Sequence, residues 1–179
     1  MSEFHTRPHW VETSPLNERL LIWMAGFFDG EGCVHQKNGR LAIEANVAQK
    51  HHYILEVFQK HFGGGIYEIS PVGCYQWMAP KENSVRFLKA VLPYLTIKLD
   101  EAVIALTLAA RPNFQGNGSR GVPPEEIEIR RRLQDALQSY KGPRAESNAL
   151  VGTSHLTPED IKWFHDELIK ELDAMQIPY

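Results

Sequence analysis

The chain predicts an α+β fold with element order αββαββα and further helices after it. Three observations carry that expectation. An apolar 3.6-residue period over residues 16–28 stops at glycines. Two strand pairs follow, joined at Asn38-Gly39 and at Pro71-Val72-Gly73, both turn-forming sequences. Apolar helical runs separate the two pairs and close the pattern.

Taken in order, Ser14-Pro15 reads as an N-cap with proline at the first helical position. Leu16, Leu20, Leu21, Met24, Phe27 and Phe28 then recur on one side up to Gly30. After Gly32 the period becomes two, with strands over Cys33–Lys37 and Arg40–Gln49. In the second strand Leu41, Ile43, Ala45 and Val47 form one face, and Arg40, Ala42, Glu44, Asn46 and Ala48 the other. A helix over His51–Phe62 is stopped by Gly63-Gly64-Gly65. Strands over Ile66–Ser70 and Cys74–Ala79 place Tyr67 and Ile69 opposite in facing to Glu68 and Ser70, and Tyr75 and Trp77 opposite to Gln76 and Met78. Helices over Glu82–Leu92 and Lys98–Arg111 are separated by Pro93. The polar stretch 112–123 is a loop, Pro124–Tyr140 a charged helix with Ile127, Leu133 and Leu137 inward, and Thr157-Pro158-Glu159-Asp160 opens a last helix. The organisation expected is an N-terminal arm (1–13), a core (14–111) and a C-terminal helical extension (112–179).

Composition bounds the function. The 179 residues are 43% hydrophobic and 23% charged, a balance typical of globular proteins. No apolar run approaches the roughly 18 residues of a membrane span, and Met1–Glu12 offers no secretory signal. Cys33 and Cys74 are too few for a disulfide framework and match no zinc spacing, so an intracellular setting is expected. Residues 150–179 hold two basic against six acidic residues, a balance of −4, which leaves +1 for the rest of a chain whose net charge is −3. A near-neutral body accommodates nucleic acid if its cations gather on one face.

The chemistry concentrates in Trp23-Met24-Ala25-Gly26-Phe27-Phe28-Asp29-Gly30-Glu31-Gly32. Gly26 and Gly30 share a helix face, where each costs up to about 1 kcal/mol against alanine but lets another backbone come close. Asp29 and Glu31 sit where the helix dipole disfavours negative charge by roughly 0.3–1 kcal/mol. A sequence that accepts both costs together has a use for them. Carboxylates beside free backbone carbonyls suit a hard divalent cation such as Mg²⁺, which takes few protein ligands and keeps waters and phosphate oxygens. Two such helices packed through their glycines would bring two carboxylates to one place, the arrangement needed for metal-assisted phosphodiester hydrolysis.

Met24–Gly32, read as M-A-G-F-F-D-G-E-G, resembles the signature helix of the LAGLIDADG homing endonucleases. The resemblance runs through the αββαββα order to about Ala110. It implies a curved antiparallel four-stranded sheet, a site-specific double-strand DNA endonuclease activity, and Mg²⁺ (or Mn²⁺) as cofactor. It makes Glu31 the catalytic metal ligand, joined by the Gly30 backbone carbonyl. Gln49 matches the polar residue that orders hydrolytic water, and Lys98 the basic residue that stabilises charge on the phosphate. One signature per chain implies a homodimer, with Met24, Gly26, Phe27 and Gly30 at the helix interface. The sheet would lie in the major groove of a pseudo-palindrome of about 20 base pairs. His35, Lys37, Arg40, Glu44, Asn46, Glu68, Ser70 and Gln76 would then face the bases, and Lys141 and Arg144 the phosphates. Double-stranded DNA and a second copy are the partners expected, with no membrane and no small-molecule cofactor.

Each feature also has a plainer account. The signature could be a core helix ended by a glycine turn, Lys98 a solvated helix start, and Gln49 a polar strand end. Adjacent His51 and His52 do not share a helix face, so they make a poor metal pair. Arg130-Arg131-Arg132 is commonly a solvated helix face, and Gln115-Gly116-Asn117-Gly118 is a turn, not a phosphate loop. Two other functions compete: a non-cleaving nucleic-acid binder or RNA maturase on the same scaffold, and a dimeric interaction module without nucleic acid.

Overall fold

The computed structural model describes residues 15–36, 41–70, 73–112 and 121–140. The elements are α1 (Glu18–Glu31), β1 (Gly32–Gln36), β2 (Ile43–Gln49), α2 (His52–Phe62), β3 (Gly65–Ser70), β4 (Cys74–Ala79), α3 (Lys81–Val91), a 3₁₀ turn (Leu92–Tyr94), α4 (Leu99–Ala110) and α5 (Pro124–Ser139). The α+β expectation holds, with the αββαββα order intact. The four strands form one sheet of order β1-β2-β4-β3, antiparallel at β2/β4 and β3/β4.

The start of α1 differs from expectation. Pro15 is not helical, and the cap is Asn17, whose Oδ1 accepts from the Leu20 backbone N–H at 3.0 Å. Asparagine caps as well as serine does, and this one lies next to the first residue with helical dihedrals. Lys37, Arg40 and the Asn38-Gly39 turn lie outside the described residues, as do Lys141, Arg144 and the helix expected from Thr157.

The described residues fall into two compact units: those up to Cys33 with Glu44–Ile97, and Val34–Ile43 with those from Lys98 onward. In the first unit Phe87 on α3 is the centre of an aromatic cluster. Its ring lies 5.1 Å from Phe28, 5.2 Å from Phe62, 5.3 Å from Trp77 and 5.7 Å from Phe58, all four edge-on. Edge-to-face contact sets the positive ring edge against the negative face and adds about 0.5–1.5 kcal/mol per pair beyond area burial. Trp77 is fully buried because its indole N–H finds the Gly63 carbonyl at 2.8 Å. Buried Ser84 accepts from the Ala45 N–H at 2.8 Å and donates to the Ala79 carbonyl at 2.7 Å, fixing α3 to β2 and β4.

In the second unit α4 is buried at every position from Glu101 to Leu108. Glu101 is tolerated there because its Oε1 accepts from the Val34 backbone N–H at 3.2 Å. On α5 the inward positions are Leu133, Ala136, Leu137 and Glu126, whereas Ile127 is 44% exposed and corrects its sequence assignment. Glu126 takes that place by binding Arg111 and Arg130. Burial pushes its carboxyl up, but hydrogen bonds from both guanidinium groups outweigh this and hold it below the ordinary value.

Candidate functional site

The described end of α1 separates its two acidic residues. Asp29 is 9% exposed and its Oδ2 accepts from the Thr96 backbone N–H at 2.9 Å. It therefore fastens the loop that follows the 3₁₀ turn. Glu31, two residues on, is exposed and makes no hydrogen bond or ion pair among the described residues. Gly32 makes the helix-to-strand change possible. A Cβ there would lie 2.2 Å from the Phe28 ring and 2.5 Å from the Phe28 carbonyl oxygen, the acceptor of the Gly32 N–H. Only glycine lets the strand begin immediately behind the carboxylate.

The glycines inside the helix behave differently. Gly26 and Gly30 are exposed, and a Cβ at either would meet nothing within 4 Å among the described residues. Among the described residues, nothing in the packing demands glycine at these positions. Ile22, one turn before Gly26 on the same line, is 52% exposed, and Phe27 is half-buried with its ring 5.5 Å from Trp23. Met24, expected beside them at an interface, is fully buried in the chain's own core and is withdrawn from that face. Its position falls on the side of α1 shared with Leu20 and Phe28.

Gln49 is the last residue of β2, half-buried, with Oε1 accepting from the Lys50 N–H at 2.7 Å. Lys98 occupies the N-cap position of α4 and belongs to the second unit. Among the described residues no three His, Cys, Asp or Glu are grouped to hold a metal ion. What α1 offers is a single open carboxylate beside helix-end carbonyls, and Mg²⁺, content with one or two carboxylates, fits such a donor set. His51 and His52 do not form a pair: His52 binds Glu56 at 3.0 Å and lies edge-on to Tyr75, whereas the His51 ring lies tilted 5.8 Å from Tyr53.

Strand register sorts the candidate base readers. Val47 pairs with Trp77 and Trp77 with Ile66, so that row takes the buried side. Gln76 pairs with Ala48 and with Tyr67, so these three form a row on the opposite, open side. Glu68 pairs with Tyr75 and Tyr75 with Gln49, which puts Glu68 on the side opposite Gln76. The sequence alternation within β3 was sound, but its facing relative to β4 is fixed only by register. A register shift between Glu68 and Ser70 then sets Ser70 opposite Cys74.

Asn46 is on the open side by alternation yet only 3% exposed, with no partner for its Nδ2 among the described residues, so it is not the solvent-facing reader expected. Glu44 and His35 are half-buried, Glu44 between buried Ile43 and Ala45 and His35 after buried Val34. Tyr67, 56% exposed in the Gln76 row, was assigned to the wrong face by alternation alone. The three arginines of α5 are all engaged: Arg130 with Glu126, Arg131 and Arg132 with Glu128, and Arg131 also with Asp135.

No protein-family profile matches the chain, and no curated protein does. Solved structures do. The homing endonuclease I-CvuI, in complex with a DNA target and 2 mM Ca, superposes with a TM-score of 0.56 at 20% identity over 84% of this chain and 94% of its own. The same enzyme with the I-CreI target in 2 mM Mg, its DNA not cleaved, gives 0.55 at 20% identity over 84% and 95%. The archaeal intron-encoded homing endonuclease I-Vdi141I, complexed with DNA, gives 0.51 at 19% identity over 86% and 96%. These likenesses concern backbone architecture, and together with the M-A-G-F-F-D-G-E-G helix they identify what that architecture is: the chain has the LAGLIDADG homing-endonuclease fold.

Proposed function

We propose that this chain is a site-specific DNA endonuclease that works as a homodimer and depends on a divalent cation. The observation that carries the reading is the line Ile22, Gly26, Gly30 on α1, open to approach and ending at the unengaged Glu31. Two copies packed along that line bring two Glu31 carboxylates together on the twofold axis, because a symmetric contact repeats every residue. Glu31 and the Gly30 carbonyl would hold Mg²⁺ (or Mn²⁺), which supplies Lewis-acid stabilisation of phosphate charge and an acidified water. Gln49 orients water, and Lys98 is assigned the negative charge that builds on the phosphate. Gln76, with Glu44 and His35, reads base edges in the major groove.

The solved neighbours in fold, complexed with DNA, support DNA as partner, and the 2 mM Mg or Ca present with two of them supports a divalent ion. The test is incubation of the protein with Mg²⁺ and a randomised-site duplex library, followed by sequencing of cut ends. Wild type should yield one pseudo-palindromic site, and Glu31→Gln should bind that site without cutting it. Intact dimers that cut nothing in the library would tell against the proposal. A second reading, a binder that leaves DNA intact, has one observation in its favour: I-CvuI holds the I-CreI target uncleaved in 2 mM Mg.

A further inference from the structure

We infer that Tyr67, its hydroxyl end lying over Gly65 and its backbone paired with Gln76, is a thymine-methyl reader; this rests on the DNA-reading proposal above. Register places Ala48, Gln76 and Tyr67 in one row across β2, β4 and β3 on the open side of the sheet. Tyr67 is 56% exposed although tyrosine is a large apolar body that folding ordinarily covers in good part. Its position is not slack. An added Cβ on Gly65 would lie 2.5 Å from the Tyr67 hydroxyl oxygen and 2.6 Å from the adjoining ring carbon. The ring therefore folds back along its own strand and rests on the one residue with no side chain to obstruct it. The hydroxyl end is held over Gly65, and more than half of the residue is left open.

The chemistry of that row points to one kind of base pair. The major groove presents a single apolar feature, the C5-methyl of thymine, which alanine and aromatic side chains contact, whereas glutamine pairs bidentately with adenine N6 and N7. An apolar–amide–apolar row thus matches an A·T-containing step, with Gln76 on adenine and Tyr67 against a thymine methyl. Glu68, pointing to the other side, takes no part.

The test uses the target recovered from the randomised library, with each thymine replaced singly by uracil, which removes the methyl and nothing else. For wild type, one thymine per half-site should lose about fourfold in affinity on replacement, the factor that one buried methyl-sized group is worth. Tyr67→Phe should keep that sensitivity, and Tyr67→Ala should bind thymine and uracil equally there. If wild type and Tyr67→Ala both bind and respond alike at every thymine, the inference fails while the DNA-reading proposal stands. If wild type binds no duplex at all, that proposal fails and this inference with it.

Discussion

Asp29 and Glu31 are chemically near-identical, are two residues apart, and do opposite things. The Asp29 carboxylate is consumed inside the chain by the Thr96 N–H, and the Glu31 carboxylate is left outside. A helix rotates by about 200° over two residues, so neighbours at that spacing must face different ways. The sequence showed that the acidic pair was costly at a helix end, but not which member carried structure. That division needs the position of Thr96, remote in sequence. The energetic consequence is testable. A charged acceptor on a backbone N–H contributes about 1.5–3 kcal/mol, and its loss strands a part-buried donor. Asp29→Ala should therefore lower unfolding free energy by about 2 kcal/mol, measured by urea denaturation. Glu31→Ala should change it by no more than about 0.5 kcal/mol, since an exposed side chain without partners holds nothing in place. Equal losses in the two variants would mean that Glu31 is structural and the catalytic assignment misplaced.

Secondary-structure elements were legible wherever the cause was local. The αββαββα order followed from hydrophobic period, Gly63-Gly64-Gly65 stopped α2 as anticipated, and helix ends shifted by only a residue or so apart from the start of α1. Facing between strands was not legible, because alternation fixes which residues share a side within a strand and says nothing of which side a neighbouring strand presents. Glu68 and Tyr67 exchanged roles for that reason. Helix faces lie between these cases. The period of α1 identified Gly26 and Gly30 as neighbours, but Met24 belonged to the core stripe. The open glycine line makes its own prediction. With nothing among the described residues within 4 Å of a Cβ at exposed Gly26, the side chain of Gly26→Leu starts into open space and the helix gains up to about 1 kcal/mol of propensity. The same side chain would separate two helices packed on that line. The variant should melt no lower than wild type yet sediment as a monomer and lose cleavage. A stable dimer that still cuts would show that another surface mediates association.

At the scale of the whole molecule, one signature helix per chain makes the active assembly a matter of stoichiometry. The net charge of −3 gives no general attraction to DNA, so affinity must come from local contacts repeated by symmetry. The proposed geometry goes further: the two Glu31 carboxylates meet on the twofold axis and serve both strands together. If they do, replacing one must affect both cuts. Wild type and Glu31→Gln, unfolded together in equal amounts and refolded, should distribute at random, so that about half the dimers are mixed and about a quarter are fully wild type. Both species bind the target equally well, because Glu31→Gln leaves the reading face and the glycine line unchanged. Joint action then predicts that cleavage of both strands falls to about a quarter of the wild-type level, with no accumulation of singly nicked duplex. Independent action predicts nicked duplex from the mixed dimers, one strand cut by the surviving carboxylate. Counting nicked against linear product on a supercoiled plasmid separates the two outcomes. Abundant nicked product would place each Glu31 at its own phosphate and remove the shared site, while leaving the homodimer itself in place.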